Sequence, residues 1–132
     1  MFSARKPRKP LSNLEHLVME EVWRRPGCTS EDVRAALDQR HPMKESTART
    51  MLSRLEEKGY VRHTVAGRAN VYTGVEAPTN VAAHAVRQII DRFCGGSVEQ
   101  LLVGMVANEV VDSKELERLA QRIARRKNRQ GE

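Results

Sequence analysis

Between Lys44 and Gly59 the apolar positions recur at helical spacing. Ala48, Leu52 and Leu55 stand at i, i+4 and i+7 and make one stripe that faces a core. The opposite face carries Ser46, Thr47, Arg49, Thr50, Ser53 and Arg54, with no carboxylate after Glu45 until Glu56. Short hydroxyls and guanidinium groups suit the edge of a nucleic-acid groove. Arginine makes paired hydrogen bonds to guanine, and threonine meets a thymine methyl or a phosphate. An ordinary amphipathic surface helix has the same stripe, so the neighbouring elements must decide between the two.

Upstream, Ser12-x-x-Glu15 has capping-box spacing, and Leu14, Leu17, Val18 and Val22 continue as a helical stripe closed by Trp23 and stopped by Pro26-Gly27. A second helix is predicted from Thr29, with Asp32 three residues on, burying Val33, Ala36 and Leu37 and ending near Gln39. The link Arg40-His41-Pro42-Met43 leads into the stretch above. Two short helices joined by a tight turn, the second with a donor-rich face, form the helix-turn-helix pattern. After Gly59 the period changes to two. Val61, His63 and Val65 fall on one side of a first run, and Ala69, Val71 and Thr73 continue the alternation after a short loop at Gly67. Arg62, Arg68 and Asn70 sit at the tip and edges of this hairpin. A hairpin directly after a helix-turn-helix is a wing, and a basic wing tip would lie along the DNA backbone.

Glu76-Ala77-Pro78 reads as a hinge. Beyond it Ala82, Ala85, Val86, Ile89 and Phe93 form a stripe widened by Val81 and Ile90, and Gly95-Gly96 ends the helix. Leu101, Leu102, Met105 and Val106 make a second stripe. Leu116, Leu119, Ala120 and Ile123 make a third, after an Asp112-x-x-Glu115 start. Some fifty residues of this kind have too little core to stand alone. The expectation is a homodimer whose interface takes Ala82, Val86, Ile89, Ile90, Phe93, Leu101, Leu102, Met105, Leu116, Leu119 and Ile123. The predicted fold is mostly α (α+β): a winged helix-turn-helix with a two-stranded β wing, then a C-terminal helical dimerisation region. The expected divisions are a basic flexible arm over 1–10, a DNA-binding winged helix over 11–78 and the dimerisation region over 79–132.

Composition sharpens this picture in a few places. Of 132 residues 39% are apolar and 4% aromatic, so the core is aliphatic and modest. The net charge of +6 fits a polyanionic partner. Arg5, Lys6, Arg8 and Lys9 crowd a proline-interrupted start, which reads either as a solvated tail or as an arm along phosphates or in a minor groove. The basic run from Arg118 to Arg129 reads as a solvated helix face whose charge opposes the helix dipole. No stretch approaches the ~18 apolar residues of a membrane span, and no signal peptide is visible, so a cytoplasmic protein is expected. Cys28 and Cys94 lack a C-x-x-C partner and read as reduced packing residues. His16, His41, His63 and His84 show no metal-ligand spacing, so neither metal nor cofactor is expected. Cys94-Gly95-Gly96-Ser97 before a helix suits an anion, but a C-cap followed by an N-cap explains it more simply. With no G-x-S-x-G, Walker loop or paired carboxylates, the chain does not read as an enzyme. A repressor that reads double-stranded DNA competes with a winged-helix module for protein–protein assembly. A face of Thr, Ser and Arg favours the first.

The chain resembles the penicillinase-repressor family of winged-helix regulators, which includes the methicillin-resistance and copper-responsive repressors. The matching pieces are V-M-E-E-V-W (Val18–Trp23), T-A-R-T-M-L-S-R-L-E-E-K-G-Y (Thr47–Tyr60) and N-V-Y (Asn70–Tyr72), with Gly95-Gly96 where the family has a glycine pair. The resemblance implies repression by a homodimer on a palindromic operator. It places DNA contacts on Ser46, Thr47, Arg49, Thr50 and Arg54, with wing support near Arg68. Two departures stand out. β-Lactam-responsive members are cut, through a membrane sensor, at an Asn-Phe bond in the second C-terminal helix, where this chain has Gly104-Met105. Copper-responsive members carry closely spaced C-terminal cysteines, where this chain has Cys94 alone. Neither a sensor-protease partner nor copper induction is therefore supported.

Overall fold

The computed structural model describes residues 7–130. The elements run α1 (Asn13–Arg24), α2 (Ser30–Leu37), α3 (Glu45–Glu57), β1 (Val61–Ala66), β2 (Ala69–Gly74), α4 (Pro78–Phe93), α5 (Val98–Ala107) and α6 (Ser113–Gln130). The chain divides into two compact units between Ala85 and Val86, within α4.

In the first unit local chemistry fixes the helix ends. The Ser12 hydroxyl accepts from the Glu15 amide, and the Glu15 carboxylate accepts from the Ser12 amide; Thr29 and Asp32 repeat the arrangement for α2. At the far end of α3, Gly59 takes φ +86. The Tyr60 amide donates to the Leu55 carbonyl at 2.9 Å, and the Gly59 amide to that of Glu56 at 3.0 Å. This is a Schellman turn, closed by burial of both Leu55 and Tyr60. Val18, Met19, Val22, Val33, Leu37, Ala48, Met51, Leu52 and Leu55 meet as one core under the three helices, with Tyr60, Val61 and Tyr72 added from the wing. Ala36, expected inside with Val33 and Leu37, is exposed.

The wing is the antiparallel pair β1–β2, joined at Gly67-Arg68 so that Ala66 faces Ala69. This register sets His63 opposite Tyr72 and Val65 opposite Asn70. Ala69, Val71 and Thr73 therefore lie on the opposite face of the hairpin from His63 and Val65, and the buried residue of β2 is Tyr72. The outer edge of β2 is also used. The Gly27 amide donates to the Tyr72 carbonyl at 2.9 Å, and the Tyr72 amide donates to the Cys28 carbonyl at 2.7 Å. Cys28 is buried in the core. The link at Glu76-Ala77 is anchored: Trp23 Nε1–H donates to the Glu76 carbonyl at 3.0 Å, and Val81, in the first turns of α4, packs on the core.

The second unit is built differently. Of its apolar side chains Ile90 is the buried one, and Val86, Ile89, Phe93, Val98, Val103, Val110, Leu119 and Ile123 are exposed. Gly95 and Gly96 take positive φ, and the Ser97 hydroxyl accepts from the Gln100 amide to start α5. The glycine pair is thus a C-cap followed by an N-cap, without need of an anion.

Candidate nucleic-acid interface

The stripe of α3 that holds the core and the face it leaves outside are complementary. Ala48, Met51, Leu52 and Leu55 are buried; Ser46, Arg49, Thr50, Ser53 and Arg54 are exposed and Thr47 is half-buried. All six polar residues predicted as contacts therefore share one outward surface on a helix whose other side is locked. The Thr50 hydroxyl donates to the Ser46 carbonyl at 3.0 Å, one turn back. Its proton is spent on the helix, and its methyl and lone pairs are left outward.

Arg49 is not loose. Its Nη2 donates to Glu45 Oε1 at 2.6 Å, and Glu45 also accepts from the Ser30 hydroxyl on α2. The Ser30 hydroxyl, and then Arg49, hold the Glu45 carboxyl below the usual glutamate range; the same contact raises the Arg49 pKa above that of a free arginine. Nothing in the sequence pattern signalled Ser30 as part of this chain. Arg54, nearer the helix end, has no carboxylate partner among the described residues.

The wing is tied to the same helix. Glu56 accepts from the His63 amide at 3.1 Å and stands 2.7 Å from His63 Nδ1, while the His63 ring lies 5.7 Å from that of Tyr72. The placement of β1 against α3 is thereby set at a side-chain level. Arg68 is the second residue of the two-residue turn and is exposed, after Gly67 with φ +64. Arg62 and Asn70 are exposed on the strands.

Buried charge supports the frame from behind. Glu21 is paired with Arg24 at 2.7 Å and with Arg40 at 2.9 Å, joining α1 to the turn after α2. Glu15 is paired with Lys58 at 2.7 Å, joining the start of α1 to the end of α3. Among the described residues no group of His, Cys, Asp and Glu is arranged to hold a metal ion, and no helix is long and apolar enough to cross a membrane.

A family model described as "Penicillinase repressor" matches residues 11–125. The chain belongs to the penicillinase repressor family. Membership makes it a DNA-binding transcriptional repressor rather than an enzyme. The penicillinase repressor of Bacillus licheniformis is 26% identical over 122 residues, covering 92% of this chain and 95% of its relative. That of Staphylococcus aureus is 19% identical over 109 residues, covering 83% and 86%. Among solved structures, the Bacillus licheniformis BlaI monomeric form in complex with the blaP half-operator is 29% identical. It covers 55% of this chain and 88% of that one, with a TM-score of 0.46.

The expected dimerisation residues of this penicillinase repressor homologue fall into two groups. Ala82, Val86, Ile89, Phe93, Leu119 and Ile123 are exposed, and Leu101, Leu102, Met105 and Leu116 are half-covered. Ile90 differs from the rest of the set: at 5% exposure it is enclosed within its own chain. It widens the stripe in sequence but has no surface to offer a partner. Gly104 and Met105 both lie within α5 and are half-buried.

Proposed function

We propose that this repressor acts as a homodimer on a palindromic operator, with α3 in the major groove and the wing along the backbone. The observation that carries the reading is the exposed face of α3. It holds hydroxyls and guanidinium groups and no large apolar side chain, while every aliphatic residue of the helix is spent on the core. In a helix-turn-helix the N-terminal residues of the second helix meet base edges. Ser46, Thr47, Arg49 and Thr50 are the candidates for that role, with Ser53 and Arg54 further along and Arg68 on a phosphate. Acting on an operator, the protein works in the cytoplasm. Exposed Val86, Ile89, Phe93, Leu119 and Ile123 support a second copy as the partner of the C-terminal helices. Two α3 helices joined in this way would reach half-sites about 34 Å apart, one turn of duplex.

Gel shifts on the promoter of its own operon, at two salt concentrations, test the assignment. Arg54→Ala should cost ~1–3 kcal/mol and relax preference at one operator position. Arg68→Ala should weaken all sequences alike and flatten the salt dependence. Unchanged affinity in both variants sinks the placement of α3 and the wing.

A further inference from the structure

The basic segment before α1, expected to be flexible, is held where it reaches the winged helix. Arg8 donates from Nε to the Gly59 carbonyl at 3.1 Å and from Nη1 to Glu76 Oε2 at 3.3 Å, and its guanidinium lies 5.4 Å from the centre of the Tyr60 ring. The Tyr60 hydroxyl donates to the Lys9 carbonyl at 2.7 Å, and Lys58 Nζ to that of Pro10 at 3.1 Å. Ordering an arginine and three residues of backbone in this way costs conformational entropy. Tyr60 apart, the groups involved lie outside the hydrophobic core. What the contacts achieve is placement. Residues 7–9 are set on the turn that ends α3, where Pro7, Arg8 and Lys9 form a shallow groove with Arg54, Glu57 and Lys58.

The charges of that groove are not equivalent. Arg8 is committed to Glu76 and Lys58 to Glu15. Lys9 is exposed, and among the described residues neither it nor Arg54 has a carboxylate partner. Lys9 and Arg54 therefore line one groove at the C-terminal end of α3, beside Glu57 but in ion-pair contact with no carboxylate among the described residues. If the N-terminal residues of a recognition helix meet the bases, its other end runs out past the sugar–phosphate strand. A lysine ammonium on a flexible stem is a point charge suited to phosphate rather than to a base edge. We propose that Lys9 contacts a phosphate of the duplex that α3 reads, and that Arg8 is the residue that positions it. The inference rests on α3 being the recognition helix. Arg5 and Lys6 lie outside the described residues and have no part in it.

The test is binding of the full chain to a random-sequence duplex of about 30 base pairs across a salt series, with the thermal midpoint of each variant measured alongside. Removing one phosphate contact should lower the slope of log affinity against log salt by ~0.9. Lys9→Gln should show that loss with an unchanged thermal midpoint. Arg8→Ala should show a similar loss although Lys9 keeps its charge, and adding Lys9→Gln to it should change the slope little further. Arg68→Ala, which removes the phosphate contact assigned to the wing, serves as the reference for one lost contact. A slope that falls in Arg68→Ala but stays at the wild-type value in Lys9→Gln overturns the inference and leaves the reading of α3 and the wing standing. Additive losses from Arg8 and Lys9 overturn the positioning role. A wild-type chain whose duplex binding does not respond to salt overturns both the reading of α3 and the inference.

Discussion

Glu45 illustrates how one side chain can shape the recognition surface proposed for α3 by holding a neighbouring residue. It stands at the first position of α3, accepts from Ser30 on α2 and holds Arg49 through Nη2. Nε and Nη1 of Arg49 keep donors for an outside partner. The carboxyl titrates below the usual glutamate range because of Ser30 and then Arg49, so its contribution is present above the unfolded value and is lost only as pH falls through the lowered one. At neutral pH Arg49 is therefore pre-aimed. Glu45→Gln should leave the fold intact, loosen Arg49 and remove a negative charge beside the proposed DNA face. We expect affinity for random duplex to rise and the ratio of operator to random binding to fall, as read by selection from a randomised duplex library. An identical base preference at every selected position would refute the role given to Glu45.

At the scale of elements, α1 and α3 are joined by a pair in which the two partners are unequally covered. Glu15 is 3% exposed, and its second oxygen has no hydrogen-bond partner among the described residues, whereas Lys58 reaches toward solvent. Burial alone would push the Glu15 pKa up; Lys58 and the Ser12 amide and hydroxyl outweigh it and bring it below the ordinary value. The pair's contribution is thus fully present above the unfolded glutamate pKa and is lost as pH falls through the folded one. Lys58→Met leaves a buried carboxylate without its charge partner and should destabilise by ~1–3 kcal/mol at neutral pH. The deficit should shrink in acid, where a protonated Glu15 needs no cation. Urea midpoints at the two pH values check this, and a deficit that grows in acid would contradict it. Such pairs mark where the sequence stops being legible. Both capping boxes, the Gly59 stop and the outward face of α3 could be read locally, because each depends on residues within about one helical turn. Lys58 and Arg40, the distant partners of Glu15 and Glu21, lie 43 and 19 residues away, and no spacing rule points to them. Which face of β2 turns inward is likewise not given by a period of two, which serves either face equally. Val71 is the more apolar neighbour, but the two-residue turn at Gly67-Arg68 fixes the pairing and turns Tyr72 inward.

At the scale of the whole molecule the C-terminal helices carry most of the large exposed apolar side chains. Phe93 is 81% exposed, Ile123 65% and Ile89 44%, whereas Ile90 is enclosed. A carboxylate at Phe93 meets water in a single chain but would be buried unpaired in an interface. Phe93→Asp therefore separates assembly from folding, which a change at Ile90 could not do. The winged helix can also be isolated, provided the cut respects its core. Val81 packs on that core and His84 stands 3.7 Å from Glu76, so a chain ending at Ala85 keeps contacts that one ending at Pro78 loses. Both Phe93→Asp and the chain ending at Ala85 should stay folded, sediment as monomers and bind a single half-site as the wild type does. On a full palindrome they should lose ~10²–10⁴ in apparent affinity, because joining two binding modules makes the second contact intramolecular. Sedimentation and gel shifts on half-site and full-site duplexes decide it. A wild-type chain that sediments as a monomer at the concentrations where it fills the palindrome, or a Phe93→Asp chain that binds the palindrome equally well, would refute the dimer.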